Sequence, residues 1–430
     1  MGERLRRRIA NTPSTLVRKH RPDYTIITYT AVLVMIGLIV MFAIGPQRAN
    51  ILNQTFGSSL SDTYFIIKQA TSVFLAIGSF FLFALLLKYE FVAKYGLHIL
   101  GAGVVACALL FLFGNVLNVS SITQCAPGAC RWFSLPGIGT FQPAELLKFG
   151  FIIYLSGFLA QRIHRNEIND KDKTIIPVAI LLGIASLFVI VFQKDLGTGL
   201  VIFAIVASML TAAGMDKKVG LTLLGIVLVA GVVMIVAAPH RMARVMTFMQ
   251  GDTATVDDAA GYHIAHAKIA IGSGGFFGVG IGNSVQAAGY LPEAINDSVF
   301  AILGETFGFV GLIFILVMYY LLLMHILNIM DHFENKTYRM VAAGVFGWIG
   351  AHVIINVAAM IGVMPLTGIT LPFLSFGGTS MIFIAAALGI VFQLSQYTLH
   401  RSQLKEERHE NSHSRRGVGR TRYASRRSYR

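Results

Sequence analysis

One acidic residue stands where a carboxyl group could transfer protons. Asp297 is the last acidic residue before the apolar run 298–325, so we expect it at the mouth of a helix, beside a region of low dielectric. There a carboxyl group exchanges its proton more readily near neutral pH, which suits a general base. A carboxylate that caps the following helix would occupy the same position, and the two interpretations are comparable from these facts alone.

The segment before Asp297 collects basic residues and glycines. It contains Arg241, Arg244 and Lys268, and then the glycine-rich string SGGFFGVGIG at 273–282. Arginine donates paired hydrogen bonds to phosphate, and a glycine backbone can approach an anion closely, so this combination favours a pyrophosphate. No strand precedes the glycines and no Gly-Lys-Ser/Thr follows them, which excludes a dinucleotide fingerprint and a P-loop; a turn-rich loop explains them equally well.

Two histidines in the same segment raise the question of a metal ion. His263 and His266, together with Asp297, supply ligand types that zinc and similar ions accept. Two histidines three residues apart, without a clear third ligand, are weak evidence for such a site. The sequence therefore identifies no metal ligands.

A second group of polar residues lies in the string RWFSLPGIGTFQPAELLK, which begins at Arg131. Glu145 and Lys148 are three residues apart, so a helix would place them on one face, where an ion pair is the least costly state for charges at membrane depth. Such a pair could be purely structural, or it could line a polar cavity together with Gln142 and Trp132. Trp132 could equally serve as an interfacial anchor.

The turn QKDLGT begins at Gln193 and is too short to do more than reverse the chain. Asp195 is favoured as the N-cap of the following helix, and a place in the polar cavity is the alternative.

The last polar segment, MPLTGITLPFLSFGGTS at 364–380, includes Ser375 and carries no charge. We expect it inside the protein rather than against lipid, because its free backbone groups need hydrogen-bond partners. It could form the floor of a cavity.

The elements that position these residues are predicted from composition. Of the 430 residues, 55% are hydrophobic and 13% charged, whereas an ordinary soluble domain carries about 25% charge. This composition excludes a soluble, fibrous or disordered protein, and the predicted fold is an all-α polytopic membrane protein with ten transmembrane helices. The predicted spans lie at about 25–45, 70–88, 97–118, 143–160, 174–192, 196–214, 219–238, 298–325, 340–363 and 378–398.

The net charge of +14 is distributed unevenly along the chain. Most Lys and Arg residues lie in the arm at 1–24, in alternate loops and in the tail at 399–430, so both termini are predicted to be cytoplasmic. The membrane domain then covers 25–398, with an extracellular loop at 239–297 between helices seven and eight. The basic tail is predicted to be disordered and attracted to anionic lipid, rather than to nucleic acid.

The three cysteines do not form a disulfide framework. Cys107 lies in an apolar run, whereas Cys125 and Cys130 share one loop. That pair could close in an oxidising compartment, and its spacing alone does not decide the matter.

Together these motifs resemble the SEDS family (shape, elongation, division and sporulation), the membrane peptidoglycan glycosyltransferases of the FtsW, RodA and SpoVE type. The likeness runs from the first span to the tenth, and leans slightly toward the division type. It rests on the strings Arg-Trp…Gln-Pro-x-Glu-x-x-Lys at 131–148, Gln-x-Asp-Leu-Gly-Thr at 193–198, Arg241 and Arg244, IAIGSGGFFGVGIG, Leu291-Pro292-Glu293 with Asp297, and Pro365…Thr367-Gly368…Leu371-Pro372…Ser375-x-Gly377-Gly378.

The resemblance implies an enzyme of the bacterial cytoplasmic membrane that polymerises lipid II into glycan at the outer face. Asp297 matches the family's essential aspartate and would act as general base, while three basic residues would neutralise the pyrophosphate. The resemblance also implies a class B penicillin-binding transpeptidase as partner and is compatible with a divalent cation such as Mg²⁺ or Mn²⁺. Further substrate-binding positions are expected at Glu145, Lys148, Trp132, Gln142, Gln193, Asp195 and Ser375, beside the basic residues Arg241, Arg244 and Lys268.

The chain departs from the family pattern at several positions, including His263, His266 and Thr306, and none of these removes the proposed base. Two other functions would use similar features. A lipid II flippase would need a cavity and basic groups but no titratable base, and a division scaffold would depend more on the cytoplasmic tail than on an outer carboxylate.

Overall fold

The computed structural model describes residues 21–126, 129–135, 139–236 and 259–398, with four single positions between 242 and 249. This part of the chain is mostly helical. The helices are α1 (Thr25–Phe56), α2 (Tyr64–Phe81), α3 (Tyr89–Lys94), α4 (Gly96–Phe111), α5 (Pro143–His164), α6 (Ile176–Ser186), α7 (Leu196–Ala212), α8 (Lys217–Val236), α9 (Ala259–Ser273), α10 (Val299–Asp331), α11 (Lys336–Met360) and α12 (Gly378–Leu394). Wider, π-helical turns extend three of them, at Leu82–Leu86, Leu112–Val116, Lys171–Ile175 and Leu187–Phe192.

Within the described ranges, eight helical stretches are long and apolar enough to cross a bilayer, and each coincides with a predicted span. They are Thr25–Thr55, Tyr64–Leu86, Gly96–Val116, Pro143–His164, Lys171–Phe192, Val299–Asp331, Lys336–Met360 and Gly378–Tyr397. The other two predicted spans are also helices, α7 with 17 residues and α8 with 20. A mostly helical polytopic architecture is therefore confirmed, and the count of ten spans stays a prediction.

The loop before α5 folds into a small antiparallel sheet, which the prediction of an all-α fold missed. Its strands are β1 (Thr123–Ala126), β2 (Ala129–Leu135) and β3 (Gly139–Phe141), in the order β1-β2-β3. A disulfide joins Cys125 to Cys130 across the first hairpin. The sheet arises in a stretch that is too polar and too rich in turn residues to continue a membrane helix.

Three helices form the interior of the bundle. Within the apolar 18-residue stretch of each span, 83% of α11, 78% of α5 and 67% of α12 is buried. The corresponding share in the other five spans is 22–28%. Small residues allow close packing there, since a methyl group at Gly103 of α4 would lie 2.8 Å from the Leu147 Cα of α5. Polar side chains on α5 and α11 are consequently shielded from lipid.

Helix α10 is interrupted by Gly308, whose φ of 67° and ψ of −168° are not helical. The glycine-rich string satisfies the backbone groups that this break leaves open. Val279 and Gly280 donate to the carbonyls of residues 305 and 306 at 2.9 and 3.1 Å, and Phe309 and Val310 donate to the carbonyls of residues 275 and 276. The N–H groups of Val279 and Gly280 are thus occupied by the protein, which favours the interpretation of this string as a turn-rich loop.

The segment 365–377 lies inside the bundle, as predicted, and side chains from several helices bind its carbonyl groups. Gln69 of α2 donates to the carbonyl of Ser375, and Tyr319 of α10 donates to that of Pro372. Two residues of α11 contact neighbouring carbonyls, as described below. These partners replace water for a stretch of irregular backbone at membrane depth.

The described ends of the chain meet at one end of the bundle. The Asp23 N–H donates to Ser395 Oγ at 2.9 Å, and the Asp23 carboxylate lies 2.8 Å from Nε2 of His325. His325 is near the last turn of α10, whereas Asp297 immediately precedes the first turn. Asp297 is therefore at the opposite end of the bundle from the described chain ends.

Candidate functional site

Asp297 precedes α10 by two residues, and Ser298 occupies the N-cap position of that helix. The N-cap of this helix is therefore Ser298 and not Asp297. The side chain of Asp297 is half-buried, and its backbone carbonyl accepts a hydrogen bond from Asn356 Nδ2 at 2.7 Å. The carboxyl group is held at the end of the bundle by its own main chain.

The carboxylate of Asp297 and the guanidinium of Arg131 face the same space beside Gly368. A methyl group at Gly368 would lie 4.0 Å from Asp297 Oδ2 and 4.0 Å from Arg131 Nη1. The φ of Gly368 is +75°, which is the left-handed region where a side chain would be strained. A glycine at this position keeps the space between the carboxylate and the guanidinium open.

Arg131 on strand β2 is fixed by two of its nitrogens. Nε donates to the carbonyl of Gln193 at 3.3 Å, and Nη2 donates to the carbonyl of Lys194 at 2.9 Å. Lys194 has a φ of +52°, which turns the chain so that the two carbonyls face the guanidinium. Nη1 has no acceptor within the described part of the chain, so it can bind an anionic or hydroxyl group of a ligand.

Glu145 and Lys148 form the ion pair that their spacing predicts. Their N–O distance is 2.8 Å, and their side chains are 3% and 0% exposed. Lys148 Nζ also lies 3.1 Å from His352 Nε2 and 5.0 Å from the centre of the Trp348 ring. Because no surface of Lys148 is exposed, direct contact with a substrate would require the groups around it to move.

Two polar residues of α11 connect this buried pair to the site, and the sequence analysis missed both. His352 Nδ1 lies 3.0 Å from the carbonyl of Thr370, and Asn356 Nδ2 donates to the carbonyl of Ile369 at 2.7 Å. The available signal was their spacing, since polar residues four apart inside an apolar helix share one face and need partners.

Two other predicted substrate-binding residues, Asp195 and Ser375, form hydrogen bonds within the protein. Asp195 caps α7 by accepting from the N–H and the hydroxyl of Thr198, both at 2.9 Å. Ser375 Oγ accepts from the Leu371 N–H at 2.8 Å, which closes a turn. Their contact with a substrate stays a prediction.

Three further predicted substrate-binding residues are Gln193, Gln142 and Trp132. Gln193 is buried, and its carbonyl accepts a hydrogen bond from Nε of Arg131. Gln142 immediately precedes Pro143, the first residue of α5, which is the favoured helical position for proline. Trp132 follows Arg131 on strand β2, so the two side chains point to opposite faces of the sheet.

The basic residues of the long loop are only partly described. Lys268 on α9 is exposed, and its Cε lies 2.6 Å from where a methyl group at Gly362 would be, near the end of α11. Arg241 and Arg244 lie outside the described residues. The structure thus places one of the three predicted pyrophosphate ligands near the C-terminal end of α11.

The two histidines on α9 have separate partners. His263 Nε2 lies 2.5 Å from Ser298 Oγ, and His266 Nδ1 lies 2.7 Å from Gln286 Oε1. Among the described residues, no three His, Cys, Asp or Glu side chains are grouped so that they could hold a metal ion. We therefore assign no cation ligands among these residues.

The comparisons with known proteins agree on one family. The family model FTSW_RODA_SPOVE, described as "Cell cycle protein", matches residues 24–400. A probable peptidoglycan glycosyltransferase FtsW from Nitrosomonas europaea is 31% identical over 378 residues, covering 87% of this chain and 93% of the relative. Stage V sporulation protein E from Bacillus subtilis is 29% identical over 384 residues, covering 89% and 99%.

Solved structures share the fold. A chain from a structure described as "Structural coordination of polymerization and crosslinking by a peptidoglycan synthase complex" matches with a TM-score of 0.67 at 24% identity, covering 87% of this chain and 98% of that one. The rod shape determining protein RodA from Thermus thermophilus matches with a TM-score of 0.60 at 22% identity, covering 90% and 100%. Because the family model spans the whole predicted membrane domain, the chain belongs to the FtsW/RodA/SpoVE family, the SEDS family, and is FtsW-like within it.

Proposed function

We propose that this protein is a peptidoglycan glycosyltransferase that polymerises lipid II into glycan strands, with Asp297 as general base. The observation that carries the proposal is the pair of opposite charges beside Gly368, with Asp297 Oδ2 and Arg131 Nη1 each 4.0 Å from the same point. Family membership and the names of the relatives support this reaction class.

In the proposed reaction, the Asp297 carboxylate removes the proton from a hydroxyl group of the acceptor sugar. The hydroxyl oxygen attacks the anomeric carbon of the donor, and the bond from that carbon to the pyrophosphate oxygen breaks with inversion. The departing pyrophosphate gains negative charge, which cations stabilise. Arg131 is placed to contribute, and Arg241, Arg244 and Lys268 stay predicted contributors.

The reaction is proposed at the outer face of the cytoplasmic membrane. Asp297 and the described chain ends lie at opposite ends of the bundle, and the basic arm at 1–24 and tail at 399–430 favour a cytoplasmic location for both termini. Ten spans, the eight apolar stretches together with α7 and α8, are consistent with that arrangement.

A class B penicillin-binding transpeptidase is the proposed partner. Support comes from the similarity to a chain of a peptidoglycan synthase complex in which polymerization and crosslinking are coordinated. Crosslinking by a partner beside the polymerase would act on the glycan as it emerges, whether in division or elongation.

The test is glycan synthesis from lipid II by the purified protein with its partner. Asp297→Asn should lower polymer formation by at least about 100-fold, because an amide cannot accept the proton. Asp62→Asn is the matched control, since Asp62 is an exposed carboxylate in the loop between α1 and α2. Normal polymer yield from Asp297→Asn would end the general-base assignment. Absence of polymer from the unsubstituted protein would favour a flippase, which needs no base at this position.

A further inference from the structure

The amide group of Asn356 binds both segments that border the space beside Gly368. Its Nδ2 donates to the carbonyl of Asp297 and to the carbonyl of Ile369, each at 2.7 Å. The residue is 1% exposed on α11, one of the interior helices. A single nitrogen with two N–H groups therefore joins the residue before the α10 cap to the residue after Gly368.

The Asp297 carbonyl is available for this bond because it lies outside the hydrogen bonding of α10. The first turn of that helix bonds to Ser298 instead, whose carbonyl accepts from Ala301 at 3.0 Å and from Ile302 at 3.3 Å. Asn356 thus supplies a partner that the helix does not provide. Loss of the amide would leave two buried carbonyl groups without this donor.

A second side chain of α11, His352, binds the same segment as Asn356. His352 lies one turn earlier on α11, and Lys148 Nζ and Trp348 Nε1 both direct N–H groups at its Nε2, at 3.1 and 3.3 Å. Nε2 is then the acceptor, so Nδ1 carries the proton and donates to the carbonyl of Thr370 at 3.0 Å. Consecutive carbonyls at 369 and 370 are both held by α11.

We propose that Asn356 is a positioning residue that sets the distance between the Asp297 carboxylate and the Gly368 side of the site. A second main-chain link, from the Phe376 N–H to the Ile295 carbonyl at 2.7 Å, joins the same two segments farther from Gly368. Asn356 is the link beside the reacting space. The inference rests on the proposed function, because it assigns Asp297 the chemistry that Asn356 positions.

The test compares two substitutions with a control. Asn356→Ala removes both N–H donors, and Asn356→Ser keeps a single donor in a smaller side chain that is easily accommodated. Ser208→Ala is the matched control, since Ser208 Oγ of α7 donates to the Ala343 carbonyl of α11 at 2.7 Å. It removes a hydrogen bond to the same helix, α11, at a position remote in sequence from Asn356. All three proteins are purified with the partner, and their thermal unfolding is measured first.

We expect kcat for polymerisation of lipid II to fall about 10- to 100-fold in both Asn356 variants, since displacement of a catalytic group by about 1 Å can cost about 100-fold. KM should change by less than about threefold, because substrate contacts persist. Ser208→Ala should retain kcat. An increase in KM with unchanged kcat, or kcat within about threefold of the unsubstituted protein in both variants, would overturn the proposal.

Hydrogen–deuterium exchange separates this inference from the proposed function. Asn356→Ala should speed exchange of the backbone N–H groups in both 298–302 and 366–371, whereas Ser208→Ala should leave them unchanged. This readout does not depend on activity, so it tests the link even if Asp297→Asn proves active. Unchanged exchange in both segments would refute the link itself.

Discussion

At the scale of single residues, the structure distinguishes Asp297 from three other acidic side chains of the bundle. Those three are bound by structural partners within the described ranges. These are Lys148 for Glu145, Thr198 for Asp195, and Ser284 with the backbone of Val285 and Gln286 for Glu305. Asp297 differs because it is only half-buried and borders the space beside Gly368. These surroundings favour Asp297 over those three carboxylates as the proposed general base.

Arg131 gives a prediction at this scale. Arg131→Lys should raise KM for lipid II by about tenfold, because one ammonium group cannot hold the carbonyls of Gln193 and Lys194 and also face Gly368. The measurement is the substrate dependence of glycan synthesis. Arg162→Lys is the control, since Arg162 pairs with Glu167 beyond the far end of α5. An unchanged KM for Arg131→Lys would remove Arg131 from the substrate site.

At the scale of elements, irregular backbone is stabilised by neighbouring backbone and side chains. The glycine-rich string completes the hydrogen bonding of α10 around Gly308, and α2, α10 and α11 supply donors to the segment 365–377. Water cannot play this role at membrane depth. Both irregular segments therefore depend on close approach of specific elements.

The close approach of Gly278 to α10 can be tested. A methyl group there would lie 2.2 Å from the carbonyl oxygen of Thr306, so Gly278→Ala must displace backbone. We expect a loss of at least about 2 kcal/mol in stability. Gly282→Ala shares the positive φ but meets no atom within 4 Å, so its cost should be limited to about 1–2 kcal/mol.

Thermal unfolding in detergent measures both glycine variants, and glycan synthesis shows whether the damage reaches the site. A Gly278→Ala protein as stable as the Gly282→Ala protein would contradict the pairing of the string with α10.

At the scale of the whole molecule, the described chain ends and the proposed site lie at opposite ends of the bundle. The described chain ends, His325 and Ser395 meet at one end, whereas Asp297, Arg131 and Gly368 lie at the other. The interior helices α5 and α11 carry the buried polar residues that lie next to the site. This arrangement separates the proposed site from the described chain ends at residues 21 and 398.

The sidedness can be measured with two single-cysteine substitutions. Asp62 and Asp216 are both exposed, in the short loops after α1 and after α7, at opposite ends of the bundle. A membrane-impermeant maleimide applied to intact spheroplasts should label Asp62→Cys, and should label Asp216→Cys only after the membrane is permeabilised. The reverse labelling pattern would place Asp297 on the cytoplasmic side and would exclude the proposed reaction at the outer face.

Features that depend on local sequence could be predicted. Each of the ten spans predicted from hydropathy coincides with a helix, because burial in lipid requires long apolar runs with internally satisfied backbone. Spacing of three residues identified the Glu145–Lys148 pair, because helical periodicity alone puts those side chains on one face. The ordered motifs also identified the family, which the comparisons confirmed.

What only the tertiary structure decided are the contacts between residues far apart in the chain. Lys148 and His352 are separated by 204 positions, Arg131 and Gln193 by 62, and Asn356 and Asp297 by 59. No periodicity reports such pairs, since they depend on which helix faces pack together and where irregular segments enter the bundle. The amino-acid sequence by itself determined the helices and the charged pair within one of them. The packing of α11 against the segments around it determined which carboxylate faces a guanidinium across a glycine.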